Sequence, residues 1–249
     1  MDNNGKVIEK AIEKTTEKIV IGDIHGDIEL LNTVLDFVKD YKPENVIFLG
    51  DYVDRGKNSK EVVSRLMETD YVCLMGNHDK MLLDFVDNGD MLSLYNDWNI
   101  NTLRSFFGRE SDFWHYDSGY NLYKITMFGI SDINKSVQKR LGETKEIEWI
   151  RSLPYYHVDD SHIYVHGGLD MSLDNPLDTS ESEMIWCRPN NQIENKTGKK
   201  IVVGHTIVDK ITEYSNGIVM VDCGNSFRNT AFVYSTIRGV IDLHNQYDK

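Results

Sequence analysis

The sequence predicts an α/β fold, and three observations carry that prediction. Five short hydrophobic runs read as strands, at 18–21, 46–49, 71–75, His162–Val165 and Lys200–Val203. Each runs into a glycine-containing segment that carries Asp, His, Asn or Arg. Helix-like stretches at 28–39, 59–68 and 80–87 follow the first three, and this strand–loop–helix rhythm is that of an α/β domain.

The chain opens with a polar, charged stretch at 3–18, expected as a helical or frayed extension. Residues 1–18 would then precede a single domain spanning 19–249. The first strand ends at Gly22-Asp23-Ile24-His25-Gly26, where glycine lets the backbone turn sharply at the sheet edge. Asp23 and His25 are two apart, so in extended backbone both side chains point to one side and can face one cation. The second strand ends at Gly50-Asp51-Tyr52-Val53-Asp54-Arg55-Gly56, the third at Gly76-Asn77-His78-Asp79. From about 91 to 119 aromatic residues cluster without a clear strand. That segment is expected as a helical insert, either packing on the main core or capping the site. A helix-like stretch at 144–152 leads into Leu153-Pro154-Tyr155-Tyr156. The fourth and fifth strands deliver His166-Gly167-Gly168 and Gly204-His205-Thr206, and further strands are expected at 211–214, 218–221 and 231–237. Ligands in open α/β sheets bind beyond the carboxyl ends of the strands. A single Asp after a strand is ordinarily a turn or capping residue. Five such ends together point to one shared site.

A chain of 249 residues, 40% hydrophobic and 27% charged, has the size and composition of a globular protein with one continuous core. There is no internal repeat or linker, and only four prolines. No apolar run approaches the roughly 20 residues that span a bilayer, and residues 1–18 lack a secretory hydrophobic core. No membrane partner is expected, and the location is expected to be cytoplasmic. Cys73, Cys187 and Cys223 are widely spaced and odd in number, which suits a reduced compartment and ordinary packing. Without a CxxC pair, metal chemistry has to use oxygen and nitrogen ligands. The net charge of −13, with no block of Lys and Arg, argues against a nucleic-acid partner. An acidic protein attracts a phosphate dianion only if bound divalent cations and a few arginines reverse the charge locally.

In this order and spacing the segments resemble the calcineurin-like metallophosphoesterases, from about residue 19 to 234. Within them the chain is most similar to the bacterial and phage-lambda-type branch of the serine/threonine protein phosphatases. Asn101-Thr102-Leu103-Arg104-Ser105-Phe106 and Trp149-Ile150-Arg151-Ser152-Leu153-Pro154-Tyr155-Tyr156 favour that branch. The resemblance implies two mixed β-sheets sandwiched between helices. It implies that Asp23 and His25 hold a first metal ion, that Asp51 bridges two, and that Asn77, His166 and His205 complete the second. Carboxylate, amide and imidazole ligands suit Mn²⁺, Fe or Zn²⁺, and Mn²⁺ is the expected pair. His78 becomes the general acid, oriented by Asp54. Arg55, Asn77 and Arg188, the last in Ile185-Trp186-Cys187-Arg188, become the phosphate-binding residues; a surface ion pair is the ordinary alternative for Arg188.

The implied reaction is hydrolysis of a phosphomonoester by direct attack of metal-bound hydroxide. The substrate would be a phosphorylated protein or peptide, or a small phosphoester. A symmetrical diadenosine-tetraphosphate hydrolase is the alternative. Asp79, where the phosphatases usually have Glu, leans towards that alternative, while Asp54 before Arg55 and Thr206 after His205 lean back. A non-catalytic phosphopeptide-binding module would be expected to lose a ligand or the acid, and none is lost. His115, His157, His162 and His244 lie outside the motifs and are expected in packing or at the surface. Asp222 and Asn225 are left ambiguous, and Asp79 either supports the site or caps the next helix.

Overall fold

The computed structural model describes residues 16–89, 97–108, 114–117, 122–125, 130–228 and 230–244. The chain begins with β1 (Ile19–Ile21), α1 (Ile28–Val38), β2 (Val46–Phe48), α2 (Ser59–Met67), β3 (Val72–Cys73) and α3 (Asn77–Asn88). Next come α4 (Asp97–Phe107), the hairpin of β4 (Trp114–Asp117) and β5 (Leu122–Ile125), α5 (Ile130–Gly142) and α6 (Lys145–Arg151). The last part holds β6 (Tyr156–Val158), β7 (His162–Val165), α7 (Glu181–Trp186) and β8 (Lys200–Val203). It ends with β9 (Thr212–Glu213), β10 (Ile218–Met220), α8 (Asn225–Arg228), β11 (Phe232–Ser235) and β12 (Gly239–Asp242).

The strands form two mixed five-stranded sheets, β12-β11-β1-β2-β3 and β6-β7-β8-β10-β9. In the first, β1, β2 and β3 run parallel; in the second, β7, β8 and β10 do. Strand alternation explains how they stack. Val20, Ile47, Leu49 and Leu74 of the first sheet share one core cluster with Tyr164, Val202, Val219 and Val221 of the second. Their sequence neighbours Ile19, Ile21, Val46 and Phe48 point the other way and pack with Leu31, Val34 and Leu66 of the helices. Ile163, Val165, Ile201 and Val203 face a third cluster with Met184 of α7. Side chains of period two, apolar on both faces, therefore build the sandwich between helices that the resemblance implied.

Helix limits follow local chemistry. Asp27 caps α1, its carboxylate accepting from the Leu30 N–H at 3.0 Å, and the buried residues Ile28, Leu31, Val34 and Val38 recur at helical spacing. Helix α3 starts at Asn77, three residues before the expected start at 80, because Gly76 can serve as its N-cap. Within 91–119, Asp97–Phe107 is helical and Trp114–Asp117 is a strand where none was expected, and α5 was not anticipated from the sequence. Most of the stretch 3–18 lies outside the described residues. Its last two residues belong to the fold: the buried Glu17 carboxylate accepts from Arg238 Nε–H at 2.6 Å, and the Lys18 N–H donates to Thr236 Oγ1 at 3.0 Å. No helix among the described residues is long and apolar enough to cross a membrane.

Candidate active site

The parallel strands put their carboxyl ends at one edge, and the backbone there is unusual. Among the described residues, the non-glycine positions with left-handed φ are His25 (48°), Asp51 (58°), Asp54 (69°), Arg55 (62°) and His205 (58°). All five are residues that the sequence assigned to the site. Such conformations are costly for residues with a Cβ and cluster where function demands them. Close approach demands glycine as well: a Cβ on Gly76 would lie 2.2 Å from both the backbone N and Oδ1 of Asp51.

Asp51 stands at the centre, buried, with one oxygen turned to each of two imidazoles. Its Oδ2 lies 3.5 Å from His25 Nε2, and its Oδ1 lies 3.4 Å from His166 Nε2. Oδ1 also accepts the His78 N–H at 2.9 Å. Asp23 Oδ2 is 3.5 Å from the same His25 Nε2, while its Oδ1 accepts the His205 N–H at 3.2 Å. Asn77 Oδ1 is 2.9 Å from both His166 Nε2 and His205 Nδ1. The first sheet thus contributes Asp23, His25, Asp51 and Asn77, and the second contributes His166 and His205. All six predicted ligands come together.

The imidazole tautomers follow from their partners. His25 Nδ1 is 2.9 Å from the Val53 carbonyl and His166 Nδ1 is 3.1 Å from the Leu49 carbonyl. A carbonyl only accepts, so both Nδ1 atoms carry a proton, and the Nε2 atom of each ring faces carboxylate and amide oxygens. His25 Nε2 is buried without a hydrogen-bond partner. An imidazole nitrogen left without a hydrogen-bond partner among buried carboxylate oxygens is a position that a cation would satisfy. Burial raises the pKa of Asp23 and Asp51, but the neighbouring imidazoles outweigh it and hold both below the usual carboxylate range. Burial and the His166 charge push His205 down to about 4. A buried set of carboxylate, carboxamide and imidazole donors fits divalent cations. In each of two groups, His25–Asp51–His78 and Asp23–Asp51–His166, the ligand atoms lie within 4.8 Å of one another, and the groups share Asp51.

His78 lies beside this cluster on the first turn of α3, its ring edge-on to His25 with centroids 4.8 Å apart. Its Nδ1 is 2.7 Å from Asp54 Oδ2, and both residues are buried. Burial lowers the His78 pKa, but Asp51 and Asp54 together overcome this and lift it to about 9. The other Asp54 oxygen accepts from the Thr102 hydroxyl at 2.7 Å. Thr102 has no role assigned from sequence, because only the fold reveals that it is buried.

Arg55 is half-buried, with its guanidinium carbon 5.8 Å from the centre of the Phe227 ring. Arg188 follows the end of α7 on the exposed side, near enough for its charge to add to the lowering of His205. Asp79 does both things that sequence allowed. Its Oδ2 accepts the Asp51 N–H at 2.8 Å and the Gly76 N–H at 3.1 Å, and its Oδ1 accepts the Tyr52 N–H at 2.9 Å. It caps α3 and ties the Asp51 loop to that cap. Burial and the Asp51 charge raise its pKa to about 7 against the pull of these N–H groups. Burial and the Asp23 charge raise Asp222 to about 8; its Oδ1 accepts the Gly224 N–H at 2.8 Å. Asn225 is structural, bonding the backbone of Phe232. His157 and His162 stack on Tyr164, away from the cluster.

The sequence profile of calcineurin-like phosphoesterases matches residues 19–230. The chain belongs to that family. It is accordingly a hydrolase of phosphoric ester bonds, and the family implies divalent metal ions, which the ligand cluster fits. The serine/threonine-protein phosphatase 2 of Salmonella typhimurium is 26% identical over 214 residues, covering 83% of this chain and 86% of that protein. The Escherichia coli protein of the same name is 36% identical over 72 residues, 28% of this chain and 33% of that protein. Among solved structures, one described as a candidate diadenosine tetraphosphatase aligns with a TM-score of 0.57 at 18% identity, covering 92% of this chain and 93% of that one. A mutant of a cold-active protein tyrosine phosphatase aligns with a TM-score of 0.55 at 18% identity, covering 91% of this chain and 77% of that one. These structural likenesses establish the fold.

Proposed function

We propose that this phosphoesterase is a cytoplasmic serine/threonine protein phosphatase with two metal ions, manganese being our choice. The observation that carries the reading is the buried His78–Asp54 pair beside the ligand cluster. A family relative named as a serine/threonine-protein phosphatase, aligned over most of both chains, supports it. In this reading Asp23, His25 and Asp51 would hold one cation, and Asn77, His166 and His205, with Asp51, would hold the other. When bound, such a pair supplies Lewis acidity and a nucleophile at neutral pH.

The protein's own residues supply the rest. The Asp54 carboxylate accepts the Nδ1 proton of His78, which fixes the ring and leaves Nε2–H to face the substrate. A pKa lifted to about 9 keeps that ring protonated at neutral pH, ready to give its proton to the departing serine or threonine oxygen. Arg55, from a left-handed turn at the rim, presents a fork that matches two phosphoryl oxygens. Arg188 and the Asn77 amide would share that load.

One observation favours a second reading, a symmetrical diadenosine-tetraphosphate hydrolase: Asp79 stands where the phosphatases usually carry Glu. The deciding experiment compares rates, with Mn²⁺ supplied, on a phosphoserine peptide, a phosphotyrosine peptide and diadenosine tetraphosphate. Fastest turnover of the phosphoserine peptide is expected. Preferential cleavage of the dinucleotide would overturn the first reading and install the second.

A further inference from the structure

We infer that helix α4 is a brace for the proton donor and the phosphate clamp, with Thr102 positioning Asp54 and Asn101 positioning Arg55. This rests on the proposed roles of His78 and Arg55. The sequence left open what the segment 91–119 does, and α4 is the part of it whose contacts bear on the site. One face of α4 reads the backbone of the loop leading into α2 and of the first turn of that helix. Asn101 Nδ2 donates to the Arg55 carbonyl at 2.8 Å, Thr102 Oγ1 accepts the Asp54 N–H at 2.8 Å, and Ser105 Oγ accepts the Lys60 N–H at 3.0 Å. Asp54 and Arg55 are the consecutive left-handed residues of that loop, at φ 69° and 62°.

The Thr102 hydroxyl has one proton and two lone pairs, and counting them fixes its role. The hydroxyl proton goes to Asp54 Oδ1, which accepts it at 2.7 Å. One lone pair takes the Asp54 N–H. The other takes the Ser59 hydroxyl, 3.1 Å away, which must then be the donor. Thr102 is wholly buried, so no water competes for these bonds. Asp54 is thereby held at its backbone and at one carboxylate oxygen by the same atom, which leaves its second oxygen aimed at His78. A chain Ser59–Thr102–Asp54–His78 results, every member oriented by the one before it.

The test uses Thr102→Val, Thr102→Ser and Asn101→Ala, with His78→Asn as the reference. Steady-state constants are measured on a phosphoserine peptide and on para-nitrophenyl phosphate, whose leaving group needs little protonation. Proton NMR of the metal-free proteins follows the His78 Nδ1–H resonance, identified by its loss in His78→Asn. Thr102→Val is expected to lower kcat on the peptide about 10-fold, the scale of one hydrogen bond to a charged group, with a smaller loss on the aryl ester. The Nδ1–H resonance should shift or broaden, and Thr102→Ser should restore both signals. Asn101→Ala should instead raise KM and the inhibition constant of inorganic phosphate by about 3-fold.

Equal losses on both substrates with an unmoved resonance would overturn the brace, as would a Thr102→Ser variant no better than Thr102→Val. Should Thr102→Val fail to fold, the split between KM and kcat in Asn101→Ala decides, and its absence refutes the inference. A His78→Asn protein insensitive to leaving group would sink the acid assignment instead. A perturbed resonance in Thr102→Val would still establish the brace in that case.

Discussion

Replacing Asp79 with Asn tests whether the site's backbone is held by one carboxylate. In the native protein two oxygens accept three N–H groups, from Asp51, Gly76 and Tyr52, at 2.8, 3.1 and 2.9 Å. An amide has one oxygen, so its best orientation keeps that oxygen against Asp51 and Gly76 and turns NH₂ towards Tyr52. One buried N–H then loses its acceptor, which costs about 1–3 kcal/mol, and the two bonds that remain lose charge assistance. Relief from burying a carboxylate, whose pKa the fold raises to about 7, offsets much of this, leaving a net loss of about 1–2 kcal/mol. For a chain of this size that is a fall in Tm of about 2–8 °C, measured by thermal melting of metal-free protein. Calorimetric titration with Mn²⁺ well below the melting range should show affinity reduced about 10–100-fold, as expected for groups that orient a ligand. A melting point within a degree of wild type, with unchanged Mn²⁺ affinity, would refute the reasoning.

Four further expectations follow from the same geometry. Asp51→Asn should abolish tight binding of the metal pair, and metal analysis of purified protein returning wild-type stoichiometry would rule out a bridging role. His78→Asn should lower kcat by about 10²–10⁴-fold, checked by single-substrate kinetics at saturating Mn²⁺. Arg188→Ala should weaken substrate binding and inhibition by free phosphate while sparing the fold; wild-type values of both constants would reassign the residue to structure. Glu17 has a folded pKa below its ordinary value: burial raises it, but Arg238 and Ser235 outweigh burial. A depressed carboxyl pKa stabilises the fold above its unfolded pKa of about 4.3 and ceases to do so as pH falls through the folded value. Wild-type protein should therefore lose stability from about pH 5 downwards more steeply than Glu17→Gln, as read by denaturant melts across that range.

The ligand cluster was legible because each of its members sits within a few residues of a strand end. Short hydrophobic runs located the strands, glycine located the turns, and the residue types between them named the chemistry. Left-handed backbone at His25, Asp51 and His205 was not legible, since it arises from loops pressed together by two sheets. Thr102 escaped for a related reason: it lies 48 positions from Asp54, and nothing in its neighbours' periodicity marks a polar residue as buried. The misplaced start of α3 shows the same limit on a smaller scale. Asn77 and His78 looked like loop residues by type, yet the capping geometry of Gly76 and Asp79 draws them into the helix. Strands β6 and β12 were missed because each borders a sheet, where half-exposed residues blur the alternation.

Strand β1 lies between β2 and β11 in its sheet, and that placement bears on how the protein is made. During vectorial synthesis β1 and β2 emerge early, but the second flank of β1 stays bare until residues 232–235 leave the ribosome. Only then can Arg238 reach back 221 positions to Glu17. Truncations removing β11 should therefore give insoluble nascent chains, whereas fusions placed after Leu243, beyond the last strand, should leave this closing step intact.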